Sequence, residues 1–248
     1  LYTRQNFLLT AMPQRSTAYC VWGSPPVWEN ERIRPLEGHC ATLAVCGQPR
    51  LVTVNLMEFL LSHGDLIVDG VRDEADVWDQ FGVEIAPLVI DSVGFTRTTQ
   101  TEGIVHFLTQ LAKARLITEQ VLGKANPISF VFHADNCFAF FASAEDALIA
   151  GMNVRDAINH AALPLTGDEK YGVSMGIGFG RLLSAGVKDG YFGDEMNVAS
   201  KLGEDLGSRD DIFLSEAAHA TLLSKDQYGF EQFLGQVSGT EFTYFQLT

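Results

Sequence analysis

From Ala86 onward the sequence alternates β-rich runs with helical periodicity in the order strand, helix, strand, strand, helix, strand. The middle two strands are separated only by Ala134-Asp135-Asn136. A break that short admits only a tight hairpin. Leu88-Val89-Ile90 reads as a short, fully apolar strand ending at Asp91, with a turn over Ser92–Thr96. Thr101 is then placed to cap a long helix with Ile104, Phe107, Leu108 and Leu111 facing inward and Gly123 closing it. Ser143-Ala144-Glu145-Asp146 opens a second helix with Ala147, Leu148, Val154 and Ile158 inward, and Val173–Phe179 supplies the last strand. This βαββαβ order is that of the ferredoxin-like sandwich, an α+β fold in which both helices cover one face of an antiparallel sheet. Beyond it, a helix over Asp194–Leu206, a strand at Asp211–Leu214, a short helix capped by Ser215 and a hairpin of Phe230–Leu234 with Phe242–Leu247 form a C-terminal β/α extension.

The first 82 residues read differently. Pro25, Pro26, Pro35, Pro49 and three of the four cysteines lie there with little periodicity, apart from a strand-like Leu51–Asn55 and a short helix over Met57–Leu61. The acids from Asp65 to Asp79 read as a solvated face or linker. We therefore expect an N-terminal accessory or regulatory segment over 1–82 and the principal domain over 83–248. The chain opens on Leu1 rather than Met and reads as a fragment.

With 17 Lys+Arg against 31 Asp+Glu the net charge is −14, a field that repels nucleic-acid backbones, so no nucleic-acid partner is expected. An anionic ligand would need its charge met locally. Cys20, Cys40, Cys46 and Cys137 form no dense disulfide framework, and His39, Cys40 and Cys46 lack the further ligands of a zinc site. No apolar run reaches the roughly 18–20 residues of a membrane span, and no signal segment opens the chain, so the expectation is a soluble, cytoplasmic protein.

In a ferredoxin-like sheet the first and third strands of the motif are neighbours, which allows Asp91, at the end of one, and Asp135, in the adjacent hairpin, to approach each other. Two ionised carboxylates in proximity repel, and a divalent cation resolves that repulsion. Oxygen ligands favour Mg²⁺, Mn²⁺ or Ca²⁺. From spacing alone, each Asp also fits the simpler role of a turn former at a strand end.

Four motifs bear on that choice. Asp91-Ser92-Val93-Gly94-Phe95-Thr96 resembles the D-x-x-G-F-[ST] signature of class III nucleotidyl cyclases, the adenylate and guanylate cyclases, and Ala134-Asp135 resembles their G-D hairpin. The run Phe192–Leu202, with Asn197 and Lys201, resembles G-x-x-V-N-x-A-[AS]-R-L, while Gly176–Gly180 resembles the G-I-x-x-G strand. The resemblance spans about Ala86–Thr248 in order. It implies two divalent ions, Mg²⁺ or Mn²⁺, held by Asp91, Asp135 and the Ser92 carbonyl, and a turn Val93, Gly94, Phe95 and Thr96 whose backbone N–H groups meet a nucleoside triphosphate substrate. It also implies that Asn197 orients the ribose and Lys201 stabilises transition-state charge, both supplied by the partner in a head-to-tail homodimer with composite sites.

The chain departs from that family at several positions. Lys201 replaces an Arg and loses its planar fork. Val131 and Gly190 stand where a base-reading Lys and Asp are expected, and Ser238 where a phosphate-binding Lys is common. The resemblance thus implies a cyclase of open base preference, with a catalytically weak or inactive nucleotide-binding, dimerising regulator as the alternative. Diguanylate synthesis is set aside, because G-G-[DE]-E-F is absent. Four further residues or runs take structural readings: Gly176–Gly180 as close helix packing, His133 as a satisfied strand residue, Cys137 as a small hydrophobe, and Arg97 either as a loop charge or as an extra cation for the site.

Overall fold

A computed structural model describes residues 55–186, 189–237 and 240–248. Residues 1–54, 187–188 and 238–239 lie outside that set, and with them Leu51–Val54 of the expected strand, the zinc question at His39, Cys40 and Cys46, and Ser238. Within the described set, Asn55 is a helix cap: its side chain accepts from the Met57 N–H at 2.8 Å and donates to the Ala185 carbonyl at 2.8 Å. It opens α1 (Leu56–Val68), which runs well past the expected end near Gly64 and is followed by α2 (Ala75–Phe81). The acids between Asp65 and Asp79 are exposed, but most lie on or beside these helices rather than in a linker.

The strand expected at Leu88–Ile90 is the centre of a much longer one, β1 (Gly82–Val93). Pro87 hides that length, since proline cannot donate in a ladder. Here its carbonyl accepts from Gly178, just past the end of the neighbouring strand, so its donorless nitrogen faces the side where pairing has already stopped. The long helix expected next is a single one, but a short helix precedes it where a turn was expected. After α3 (Phe95–Thr101), the chain turns at Gly103 (φ 89°) into α4 (Ile104–Ala125), closed by Asn126 in the left-handed region (φ 55°). Thr101 is therefore the last residue of α3, and Gly123 lies inside α4. Phe107 and Leu111 are buried as expected, whereas Ile104 and Leu108 are 47% and 48% exposed.

β2 (Ser129–His133) and β3 (Asn136–Phe141) form the expected hairpin, and Ser143 caps α5 (Ala144–Ala161), accepting from the Asp146 N–H at 3.1 Å. Then come β4 (Gly172–Ile177), β5 (Gly180–Ser184), β6 (Tyr191–Phe192), α6 (Asp194–Ser200), β7 (Ile212–Ser215), α7 (Glu216–Thr221), β8 (Phe230–Val237) and β9 (Thr240–Leu247). The sheet order is β2-β3-β1-β4-β7-β9-β8, with β1 antiparallel to both β3 and β4. Its first four strands have the ferredoxin-like order. Residues Gly82–Ile85 of β1 leave this ladder and pair with β5 instead.

Side-chain alternation sorts the layers. Leu88 and Ile90, with Cys137, Ala139, Met175 and Ile177, join Phe107, Leu111, Leu122, Leu148, Val154 and Ile158 in one core under α4 and α5. The opposite face carries α6, which continues as a six-residue π-helical segment, Lys201–Leu206. Contact there is close: a Cβ on Gly176 would lie 2.0 Å from the Ala199 carbonyl, so the glycine run is what lets the helix rest on the strand. The Ser174 hydroxyl donates to the Gly203 carbonyl within the π segment. A satellite cluster of Leu56, Phe59, Val77, Phe81 and Ala185 joins α1 and α2 to the end of β5. No helix among the described residues is long and apolar enough to cross a membrane.

Candidate functional site

Alternation along β1 puts consecutive residues to opposite uses. Ile90 enters the core, Asp91 faces the side of the π segment, and Ser92, 6% exposed, turns back towards the hairpin. The Ser92 hydroxyl donates to Asp135 Oδ2 at 3.1 Å, which ties the end of β1 to the β2–β3 turn. Asp91 and Asp135 lie near enough for electrostatic repulsion. The Asp91 carboxyl is pushed up to about 6, first by burial and then by Asp135, with smaller contributions from Glu204 and Asp205 on the π segment, while the Ser92 backbone N–H pulls the other way. Glu204 is also raised, by burial, Asp205 and Asp135. A half-buried carboxylate pair in this state is under-compensated, which suits a cation.

The hairpin turn is itself under strain, because Ala134 has φ 51° where glycine is the unstrained choice. An alanine there costs on the order of 1 kcal/mol. A side chain from α4 holds it: the Arg115 guanidinium donates to the Ala134 carbonyl and lies 5.3 Å over the Phe132 ring. Between α3, α4 and this turn is a cleft of about 450 Å³ lined by Phe95, Phe107, Leu108, Leu111, Arg115 and Asp135.

The other sequence-predicted positions fall as follows. Val93 ends β1, and Gly94, with φ 101°, turns the chain into α3. A Cβ on Gly94 would also sit 2.9 Å from Leu165. Phe95 is partly exposed with its ring edge-on to Phe107 at 4.9 Å, and Thr96 is exposed. Asn197 is exposed on α6, and Lys201 opens the π segment, where it pairs with Asp205. Among the described residues no ion pair joins Lys201 to Asp91 or Asp135, so one chain brings together the acids but not the full set. Val131 is exposed and Gly190 is half-buried, and Arg97, 69% exposed, pairs with Glu169. His133 is exposed at the end of β2 rather than packed. Cys137 is buried, and burial pushes its thiol up to about 12.

Sequence reasoning did not find Arg115, the Ser92 hydroxyl or the two π-segment acids. Arg115 did leave a trace: it lies four residues after Leu111 and three before buried Thr118, a charged residue within an otherwise inward stripe.

The donor set that the resemblance implies would be two carboxylates and a backbone carbonyl. All are hard oxygens, fitting Mg²⁺ or Mn²⁺ that keeps part of its shell for water and substrate oxygens. Among the described residues no cluster of three or more His, Cys, Asp or Glu converges on one point.

No protein-family profile matches the chain, and no curated protein matches it. Solved structures do. The chain is similar to an adenylate/guanylate cyclase/hydrolase from Silicibacter pomeroyi (21% identity, TM-score 0.57, covering 67% of this chain and 96% of that one). It is also similar to the adenylyl cyclase CyaB from P. aeruginosa (18%, 0.55, 67% and 94%). A third likeness is to the guanylate cyclase domain of RhGC from Catenaria anguillulae, solved in complex with GTP (14%, 0.57, 66% and 96%). The fold is that of the class III adenylate/guanylate cyclase catalytic domain. Identities this low show a shared fold.

Proposed function

We propose that the protein is a divalent-metal-dependent nucleotidyl cyclase, converting a nucleoside triphosphate to a 3′,5′-cyclic nucleotide and pyrophosphate. The observation that supports the reading is the electrostatic repulsion between Asp91, near the end of β1, and Asp135, within a cyclase fold. In the reaction the ribose 3′-oxygen attacks the α-phosphorus, the bond to the β-phosphate oxygen breaks, and pyrophosphate leaves. Asp91, Asp135 and the Ser92 carbonyl would hold two ions, Mg²⁺ or Mn²⁺. When bound, these supply a lowered pKa at the 3′-hydroxyl and neutralise phosphate charge. The backbone N–H groups over Val93–Thr96 bind the triphosphate, Asn197 orients the ribose, and the Lys201 ammonium stabilises charge at the α-phosphate. Lys201 is tied to Asp205 and not to Asp91 or Asp135 of its own chain, which accords with a head-to-tail homodimer in which it serves the partner's site.

A second reading, a nucleotide-binding regulator without turnover, draws on that same ion pair, since Asp205 holds the only cation of the matched motifs, and on Val131 and Gly190. One experiment separates the two. Purified protein with Mn²⁺ is offered ATP, GTP, CTP and UTP together, and products are identified by mass spectrometry beside Asp91→Ala. Cyclic product from the wild type alone supports the enzyme; none from either supports the regulator.

A further inference from the structure

We propose that Arg115 is a positioning residue for Asp135, holding the strained Ala134–Asp135 turn in the geometry that presents the carboxylate. This rests on the cyclase reading for its functional meaning. Three observations carry it. The turn needs a hold, because Ala134 occupies the left-handed region with a side chain that disfavours it. Arg115 supplies one from a different element: its guanidinium donates to the Ala134 carbonyl while its plane lies on Phe132, the residue just ahead of the turn.

The third observation is that Arg115 is kept at a cost. Its Nε is buried without a hydrogen-bond partner among the described residues. A buried unpaired donor is destabilising, so a simple core role would be better served by leucine or methionine. Arg115 also borders a void of about 20 Å³ that it shares with Thr118, Asp135, Cys137 and Tyr171, large enough for one water. With the Ser92 hydroxyl on Oδ2, Asp135 is gripped from two directions, through its side chain by Ser92 and through its backbone by Arg115. Neither lysine nor methionine reproduces this, because only a planar fork stacks on an aromatic ring and donates sideways at once.

The test uses the whole chain carrying Arg115→Met, which keeps the apolar stem, and Arg115→Lys, which keeps the charge, each with and without Ala134→Gly. Two readouts are taken: amide exchange at residues 133–136, and the Mn²⁺ dissociation constant from the EPR signal of free Mn²⁺. Arg115→Met is expected to speed exchange at the turn about tenfold while the rest of β3 and α4 keep their protection. It is expected to weaken Mn²⁺ binding about tenfold or more, as loss of groups that orient metal ligands does. Arg115→Lys should lie close to Arg115→Met, and Ala134→Gly should recover part of both losses, since glycine needs no hold. Wild-type exchange at the turn in Arg115→Met overturns the proposal. So does a rise spread evenly over the domain, which marks general packing. If the wild type binds no Mn²⁺, the cyclase reading falls, while the exchange result still decides the role of Arg115.

Discussion

Replacing Asp91 by asparagine removes one titrating group from the site while keeping its shape, and the structure fixes the pH range in which the change is felt. The folded carboxyl titrates near 6 against an unfolded value of 3.8. A folded pKa above the unfolded one means the protonated form is favoured by folding. The associated stability is fully present below pH 3.8 and is lost as pH rises through 6. A gap of about two pH units corresponds to about 3 kcal/mol at full value, and solvent screening of this half-buried group reduces that to about 1–2 kcal/mol. The assay is urea unfolding of wild type and Asp91→Asn at matched pH from 4 to 8, with EDTA present, so that the other acids cancel in the difference. The wild type should lose about 1–2 kcal/mol relative to Asp91→Asn between pH 4 and 7.5. Mn²⁺ at pH 7.5 should then restore stability to the wild type alone, by about 2.7 kcal/mol at a hundredfold excess over the dissociation constant. A wild-type-minus-variant difference that stays flat from pH 4 to 8 refutes the argument, because it removes both the burial and the repulsion from which it was built.

Gly176→Ala would place a methyl 2.0 Å from the Ala199 carbonyl and 2.7 Å from the Gly203 nitrogen, both backbone. Helix and strand must separate, at about 3 kcal/mol, and thermal unfolding should show a fall in Tm of about 6–12 °C. Lys201→Ala should lower the rate of cyclic product formation about a hundredfold through kcat with KM nearly kept, since its charge acts in the transition state. Steady-state kinetics on the preferred triphosphate checks this, and equal activity of wild type and variant would remove Lys201 from the reaction.

The main architecture was legible because its signals are local. The short break at Ala134–Asn136, the Ser143 cap and the alternating apolar strands each depend on neighbours within a few residues. Boundaries were lost where two local rules competed. Thr101 resembles an N-cap and is followed by a clean apolar period, yet Gly103 makes the actual turn, Ile104 is exposed and Leu108 lines an open cleft instead of the core. Pro87 reads as a strand terminator unless one knows that the neighbouring strand has already ended beside it. The two acids were visible as residues at strand ends. What surrounds them was not, since Arg115 arrives from 20 residues upstream of Asp135 and Glu204 and Asp205 from more than 100 residues downstream of Asp91. The π segment is invisible for a related reason: its apolar and charged residues fit ordinary helical spacing well enough to pass for it.

β1 belongs to two ladders in succession, and this gives it a mechanical character. A strand is already near its full extension, so it has almost no slack to take up. The end that pairs with β5 lies beside the satellite cluster of α1 and α2, and the far end, some 30 Å along at ~3.3 Å per residue, carries Asp91 and Ser92. A pull at Gly82 therefore meets little stretch in β1 itself on its way to Asp91, and α2, which directly precedes β1, holds one end of it.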